Sequence, residues 1–323
     1  MEEFENRLDL AAFSGKINQL KAGIGAILVG QEQAVDLVLT SLLAGGHALI
    51  EGVPGVAKTL LAKLTARLIS AEFSRIQFTP DLMPSDVLGT SVFNLKNSEF
   101  EFHQGPVFSE IVLIDEINRA PAKTQAALFE VMEERQVTID GFTRKMSDFF
   151  QVIATQNPVE QEGTYRLPEA QLDRFLMKIS INYPTAEEEY ILLKRHNENS
   201  ELARLNDIKP VLSREEILAF KKLSGRIFVE DSLLKYISAI TLSTRNTPAV
   251  YLGASPRASV ALLNAAKAYA LLQGRDFVIP DDVKYIGVPV LQHRILLSPE
   301  TEMEGRSAAT IVKRLIEKIE VPK

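Results

Sequence analysis

The stretch EGVPGVAKTL, residues 51–60, decides the fold because it nearly matches the loop that binds phosphate groups in many nucleotide-binding proteins. That loop consists of a glycine, four further residues, a second glycine, a lysine, and then serine or threonine. Gly52, Lys58 and Thr59 occupy the required positions, but Ala57 stands where the second glycine is expected. The segment is therefore either a working nucleotide site that accepts a methyl group or a glycine-rich turn of similar appearance.

Short apolar strands alternate with helical patterns around this loop, as in a parallel sheet covered by helices. Strands are predicted at 47–50, 111–114, 150–155 and 175–181, and helices at 59–69 and 121–134. Two segments depart from the alternation, 93–102 and 137–146, and the second contains the strong hairpin signal Asp140-Gly141. Each segment is either a plain surface hairpin or an insertion with its own role.

The pattern changes beyond residue 183 to consecutive helices. Thr185 and Glu188 have the spacing of a capping box, which marks a helix start. Further helical patterns cover 233–242, 258–272 and 308–319. We therefore predict an α/β nucleotide-binding domain in residues 1–183 and an all-helical lid domain in residues 184–323.

The composition, with 46% hydrophobic and 24% charged residues among 323, is that of a soluble globular protein. No apolar run reaches the roughly 18 residues of a membrane span, and the acidic start MEEFENRLDL lacks the layout of a signal peptide. A cytoplasmic location is expected. The absence of cysteine excludes disulfides and thiolate metal sites, and the four histidines are too far apart in sequence to suggest a metal cluster. The net charge of −6 argues against a general affinity for nucleic acid.

A second motif, IVLIDE at 111–116, places two carboxylates after a buried strand. Ligands of open parallel sheets bind at the carboxyl ends of the strands. Asp115 can therefore support Mg²⁺ together with Thr59, and Glu116 can polarise a water for attack on a γ-phosphate. The alternative, an acidic pair that caps the next turn, does not explain its pairing with a phosphate loop. Asn157 follows another apolar strand, where its amide can orient the attacking water.

Four longer segments resemble the MoxR family of AAA+ ATPases: GVPGVAKT at 52–59, GPVFSEIVLIDEINRAPAKTQAALFEVMEE at 105–134, ATQNPVEQEGTYRLPEAQLDRF at 154–175 and GASPRA at 253–258. The resemblance covers nearly the whole chain. Members commonly carry alanine before the loop lysine, which favours a working site. A small residue at Ala57 is acceptable if the backbone there is already helical and the phosphate does not need the space of its Cβ.

The resemblance implies roles for residues outside these strands. Arg174 matches the arginine finger, which reaches the γ-phosphate of ATP bound by the neighbouring subunit, although a salt bridge at the domain joint is the alternative. Arg257 matches the second sensor, which contacts nucleotide and couples its state to the lid. Residues 29–31 fall where relatives hold adenine with backbone groups. Arg119 and Arg166 are further candidates for the subunit interface.

The residues expected to bind ATP or ADP are Val29, Gly30, Gly52, Val53, Pro54, Gly55, Val56, Ala57, Lys58, Thr59, Leu60, Asp115 and Arg257. The expected Mg²⁺ ligands are Thr59 and Asp115. The expected catalytic residues are Glu116, Asn157, Arg174 and Lys58.

The family resemblance implies a ring, expected to be hexameric, that hydrolyses ATP and remodels or activates partner proteins in the manner of a chaperone. Such partners often carry a von Willebrand factor A domain, whose metal site or assembly the ring helps to mature. In related rings such insertions line a pore or touch a client, and a plain surface hairpin remains the alternative for each of the two segments. The alternatives are a nucleic-acid motor, a magnesium-chelatase-like subunit, and a nucleotide-gated binding module that does not hydrolyse ATP.

Overall fold

The structure, a computed structural model, describes residues 10–157, 165, 167–198 and 208–322. The central sheet consists of β1 His47–Gly52, β2 Phe73–Gln77, β5 Ile111–Asp115, β8 Gln151–Gln156 and β9 Phe175–Ile181. These strands are all parallel and lie in the order β2-β5-β8-β1-β9. Four of the five are predicted from the sequence and confirmed. The pattern misses β2 because this strand is half polar, with only Ile76 buried.

Helices cover the sheet in the first half of the chain: α1 Ala11–Gly25, α2 Glu32–Leu43, α3 Lys58–Leu68, α4 Pro84–Leu88, α5 Ala122–Glu134 and α6 Glu169–Leu172. All five residues of β5 are buried, as expected for a parallel strand covered on both faces. Helices α3 and α5 confirm the predicted helices after the glycine loop and after the acidic strand.

The second half is helical, as predicted, with α7 Ala186–Asn197, α8 Arg214–Gly225, α9 Asp231–Arg245, α10 Pro256–Leu272, α11 Pro280–Leu291, α12 Pro299–Met303 and α13 Ala308–Lys318. A small ribbon pairs β10 Val250–Leu252 with β11 Leu296–Leu297. The predicted capping box starts α7, where the Thr185 hydroxyl accepts from the backbone N–H of Glu188, and the Glu188 carboxylate accepts from that of Thr185 at 2.7 Å.

Both predicted hairpins are present. β3 Gly89–Asn94 pairs with β4 Glu99–Gln104, and β6 Gln136–Ile139 pairs with β7 Phe142–Lys145. The second turns at Asp140-Gly141, where both residues have positive φ, as two-residue hairpin turns require.

A single apolar cluster joins the two halves of the chain. It contains Leu20 of α1, Val38 of α2, Ile50 of β1 and, from the lid helices, Leu262 and Val283. The lid therefore packs on the α/β unit through buried side chains, and the boundary near residue 184 stays a prediction from the change in pattern. No helix in the described part of the chain is long and apolar enough to cross a membrane.

His47 is buried at the start of β1, where both ring nitrogens are engaged. The backbone N–H of Val152 donates to Nδ1 at 2.9 Å, and Nε2 lies 3.2 Å from the carbonyl oxygen of Met132. The ring is therefore neutral with its proton on Nε2. Burial, together with the nearby charge of Arg135, lowers the pKa of His47 to about 3.

We expect this histidine to make the fold sensitive to mild acid. Because its pKa in the folded state lies below the usual 6.5, its contribution is complete above about pH 6.5 and is lost as the pH falls toward 3. Between pH 7 and 5.5 the free energy of unfolding should fall by about 1 kcal/mol through this residue alone. His47→Gln, which keeps one acceptor and one donor, should lose that much less in urea titrations at the two pH values. Equal losses would contradict the assignment.

Candidate active site

The glycine loop connects the end of β1 to the start of α3, as the motif predicts. The backbone at Ala57 is not part of the right-handed helix, so the condition of a helical backbone for its methyl group is not met. Ala57 has φ 61° and ψ 27°, which is left-handed, and it directly precedes the first residue of the helix. A side chain in this conformation costs roughly 1–2 kcal/mol, which explains why the motif usually has glycine there. The loop therefore keeps its shape at a cost in stability.

Replacing Ala57 with glycine should relieve that cost. After subtracting the entropy that glycine adds to the unfolded chain, we expect a gain of about 0.5–1 kcal/mol in the free energy of unfolding. Ala126→Gly is the matched control, because Ala126 is exposed in the middle of α5 and should lose about 1 kcal/mol. Chemical denaturation of both variants measures the difference. A loss at Ala57 similar to that at Ala126 would show that the left-handed conformation is not retained.

Lys58 lies between the ends of two neighbouring strands. Its ammonium donates to the carbonyl oxygen of Gly52 at 2.5 Å and to that of Gln156 at 3.3 Å. These residues end β1 and β8, so the lysine stands at the carboxyl edge of the sheet beside the loop. Asn157, which is 5% exposed, follows β8 at the same edge. Since β8 lies between β5 and β1, Asn157 is placed between the acidic strand end and the loop.

The side chain of Thr59, in the first turn of α3, lies close to that of Asp115, at the end of β5. The Thr59 hydroxyl lies 3.4 and 3.5 Å from the two carboxylate oxygens of Asp115. Hydroxyl and carboxylate oxygens are ligands that Mg²⁺ accepts, usually together with waters and phosphate oxygens, so the pair fits the predicted metal site. Asp115 also accepts from the Thr155 hydroxyl at 3.1 Å and from Arg75 Nε at 2.6 Å.

Glu116 is held at the same edge in an unusual backbone conformation. Its φ of 57° and ψ of 52° are left-handed, and its backbone N–H donates to the Thr155 hydroxyl at 3.0 Å. Its carboxylate accepts from the side-chain amide of Gln77 and from Arg119 Nε, both at 3.0 Å. Strained residues of this kind cluster at functional sites, where the surrounding structure holds them. Arg119, predicted at the subunit interface, is thus paired with Glu116 in this chain.

An apolar slot of about 80 Å³ lies beside the loop. Its lining residues are Ile27, Leu28, Val29, Gln31, Gly55, Val56, Ala57, Leu60, Pro184 and Leu192. The segment predicted to hold adenine, residues 29–31, thus lies against the phosphate loop. Gly30 in this segment has a φ of +71°, and the Glu188 carboxylate occupies the space where a Cβ would lie. Pro184 and Leu192 come from the start of the second half, which the sequence did not assign to the site.

Arg174 and Arg257 share one carboxylate. Arg174 donates to Glu133 at 2.7 Å, and Arg257 lies 3.6 Å from the other oxygen of that carboxylate. Arg257 is 73% exposed in the first turn of α10 and is not among the residues of the slot. Arg166 lies outside the described residues. The structure therefore brings Lys58, Thr59, Asp115, Glu116 and Asn157 together at one edge of the sheet and places Arg174 and Arg257 elsewhere.

Two polar residues of this site, Arg75 and Gln77, are not predicted from the sequence. Both come from β2, where they alternate with buried Ile76 and so face the same side. The signal is the two-residue period in FSRIQ, which is too short to distinguish a strand from a loop. Thr155 lies inside a predicted strand, and only the register between β5 and β8 reveals its contact with Asp115.

Comparisons with known proteins agree with this fold. Residues 47–177 match the model of the ATPase family associated with various cellular activities (AAA), and residues 242–315 match an AAA lid domain. The chain is 48% identical over 299 residues to the uncharacterized protein YeaC of Bacillus subtilis, covering 93% of this chain and 92% of that one. It is 44% identical to the chaperone MoxR1 of Mycobacterium tuberculosis, covering 92% and 80%. A crystal structure of a candidate ATPase from Cytophaga hutchinsonii superimposes with a TM-score of 0.88, 40% identity and 97% coverage of both chains.

The sheet order, the loop after β1 and the helical lid define a P-loop nucleoside triphosphatase of the AAA+ class. Proteins of this class bind nucleotides, usually with Mg²⁺. Within the class, this chain belongs to the MoxR family.

Proposed function

We propose that this protein hydrolyses ATP in a hexameric ring, at sites that neighbouring subunits complete. The observation that carries the proposal is the position of Arg174. It directly precedes β9, at the amino edge of the sheet, whereas Lys58 and Glu116 follow β1 and β5 at the carboxyl edge. The seven residues of β9 span about 20 Å, which no arginine side chain bridges. An arginine finger at this position would therefore act on the ATP of the next subunit.

The residues at the carboxyl edge of the sheet would have different roles in ATP hydrolysis. Lys58 would exchange its two carbonyl partners for the β- and γ-phosphates, and Asn157 would orient the attacking water beside Glu116. Glu116 would act as the general base and accept a proton from that water as it attacks the γ-phosphate. Bound Mg²⁺, held by Thr59 and Asp115, would add positive charge at the phosphate oxygens.

Arg257 joins Arg174 in this proposal. Because both guanidinium groups contact Glu133 near the amino edge, a nucleotide contact by Arg257 would also be made with the neighbouring subunit. On ATP binding the two arginines would exchange Glu133 for the phosphates, which carry more negative charge. Breaking the exposed ion pair between Arg257 and Glu133 would cost at most about 1 kcal/mol.

The two hairpins support a role in contacting a client protein. Between them lies a groove of about 710 Å³ whose lining includes Leu88, Phe100, Phe102, Phe142 and Arg144. Phe100 is 75% exposed and Phe142 is 67% exposed. Exposed apolar patches of this kind mark interaction sites more often than single exposed residues do.

We propose that the client or partner carries a von Willebrand factor A domain and that the ring activates it, matures its metal site or remodels it in the cytoplasm. The support is the family membership, together with the name chaperone given to the relative from M. tuberculosis. Stimulation of ATP turnover by a purified protein with such a domain would test this. Stimulation by DNA alone would instead favour the nucleic-acid motor.

The first measurement is the ATPase rate per subunit over a wide range of protein concentration, with Mg²⁺ and without partner. A rate that rises with concentration, in step with assembly seen by light scattering, is expected because each site needs a neighbour. A constant rate in particles shown to be monomeric would refute the shared site. ATP binding without turnover at any concentration would favour the gated binding module or a required partner.

A further inference from the structure

The outer edge of β9 is closed by three consecutive residues of the lid. Among the described strands, β9 pairs with β1 alone, so its other side presents backbone groups that need partners. Gln292 donates from its side chain to the carbonyl oxygen of Lys178 at 2.7 Å, and His293 Nε2 lies 3.0 Å from that of Phe175. Arg294 follows directly, just before β11.

Arg294 makes most of the contacts between the lid and this stretch of chain, and its side chain is only 4% exposed. Its Nε donates to the Asp173 carboxylate at 2.6 Å, and its terminal nitrogens donate to the carbonyl oxygens of Asp173 at 3.2 Å, Phe175 at 2.7 Å and Leu176 at 3.0 Å. The carbonyl oxygen of Val290 is a further acceptor. A buried cation is costly unless its charge and its donors are satisfied, and here four of the five acceptors around the guanidinium group come from one short stretch of chain, residues 173–176.

That stretch contains Arg174. The guanidinium group of Arg294 contacts the residue before Arg174 through its carboxylate and its carbonyl, and the residue after it through its carbonyl. The backbone of Arg174 is thus fixed on both sides by one lid residue. We call these contacts of Arg294 with Asp173 and Phe175 the clamp. They set the direction in which the Arg174 side chain leaves the backbone.

We propose that Arg294 is a positioning residue that holds Arg174 in place for the neighbouring subunit's ATP and makes it move with the lid. The inference rests on the proposed role of Arg174 and adds its regulation: a lid movement caused by nucleotide in one subunit is transmitted to the site of the next. A misplacement of about 1 Å in a positioned group can cost on the order of 100-fold in rate, so small lid movements suffice.

The test compares Arg294→Met with Arg275→Met. Arg275 forms a two-point ion pair with Asp282 within the lid, at 2.7 and 2.5 Å, so its loss controls for general weakening of the lid. We expect Arg294→Met to lower kcat for ATP about 100-fold with little change in KM, whereas Arg275→Met should keep kcat within about threefold, as expected for a group remote from the chemistry. Asp173→Asn removes the same ion pair with almost no change in shape, and should lower kcat in the same direction if Arg294→Met fails to fold.

Mixing experiments separate positioning from damage to the variant's own site. Arg294→Met subunits keep an intact phosphate loop, and Lys58→Ala subunits keep an intact Arg174 and clamp, so a mixture of the two inactive proteins should regain turnover. An unchanged kcat in both Arg294→Met and Asp173→Asn would overturn the inference. So would failure of the mixture under conditions in which Arg174→Ala with Lys58→Ala is rescued. If Arg174→Ala itself keeps full turnover, the proposed role of Arg174 fails first, which distinguishes the two results.

Discussion

Glu116→Gln is expected to reduce ATP turnover by about 100- to 10,000-fold, the range typical for loss of a general base, while ATP binding is retained. The amide keeps the length of the side chain and an acceptor for Gln77 and Arg119, which hold the carboxylate at 3.0 Å each. It cannot take the proton of the attacking water. Steady-state phosphate release and equilibrium binding of ATP measure the two properties separately.

Glu110→Gln is the control for this experiment. Glu110 precedes the same strand at its opposite end, where it is buried and pairs with Arg214 at 2.9 Å. Its replacement should lower stability but leave turnover per folded subunit unchanged. If Glu116→Gln hydrolysed ATP at the rate of the parent protein, the role assigned to this carboxylate would have to be withdrawn.

Arg174→Ala should lower turnover by about 1,000-fold or more, as expected for removal of an arginine finger, and it should do so in the neighbour's site. The strand register supports this: Phe175, next to Arg174, pairs with His47, whereas the loop begins at Gly52, opposite Ile181. Mixing Arg174→Ala with Lys58→Ala should restore activity, since each subunit supplies what the other lacks.

A mixture of Lys58→Ala with Glu116→Gln is the matched negative control. Both changes damage the nucleotide site of their own subunit, so no pairing of neighbours creates a complete site. Equal recovery in both mixtures would mean that subunit exchange or residual wild-type protein, and not shared sites, explains the result. No recovery in either mixture, with assembly confirmed, would place the action of Arg174 within its own chain.

Residues that follow long apolar runs could be located from the sequence alone. Asp115 and Glu116 come directly after a strand that is buried at every position, and the carboxyl ends of parallel strands meet at one edge. The same reasoning predicts Asn157 at this edge, where it follows β8, and its role beside Glu116 stays a prediction. The pattern of the second half similarly indicates helices, although α7 has no buried residue.

Contacts that depend on register or on distant segments could not be predicted. The conformation of Ala57 is set by the turn between strand and helix, and local pattern gives no value for φ. Gln77 reaches Glu116 because β2 pairs with β5, residue by residue, from Phe73 opposite Ile111 to Gln77 opposite Asp115. The contact between Arg294 and Asp173 joins residues 121 positions apart, and a single sequence carries no signal for such a pair.

The closure of β9 by residues 292–294 also limits how subunits can join. Strand addition, in which one chain extends the sheet of another through main-chain hydrogen bonds, needs an open strand edge. Lid side chains occupy carbonyl groups along this edge, so neighbouring subunits would meet there through side-chain surfaces. Contacts of that kind can rearrange without breaking a continuous ladder of hydrogen bonds. In the proposed ring, subunits joined in this way would be able to turn against each other during each round of hydrolysis and remain assembled.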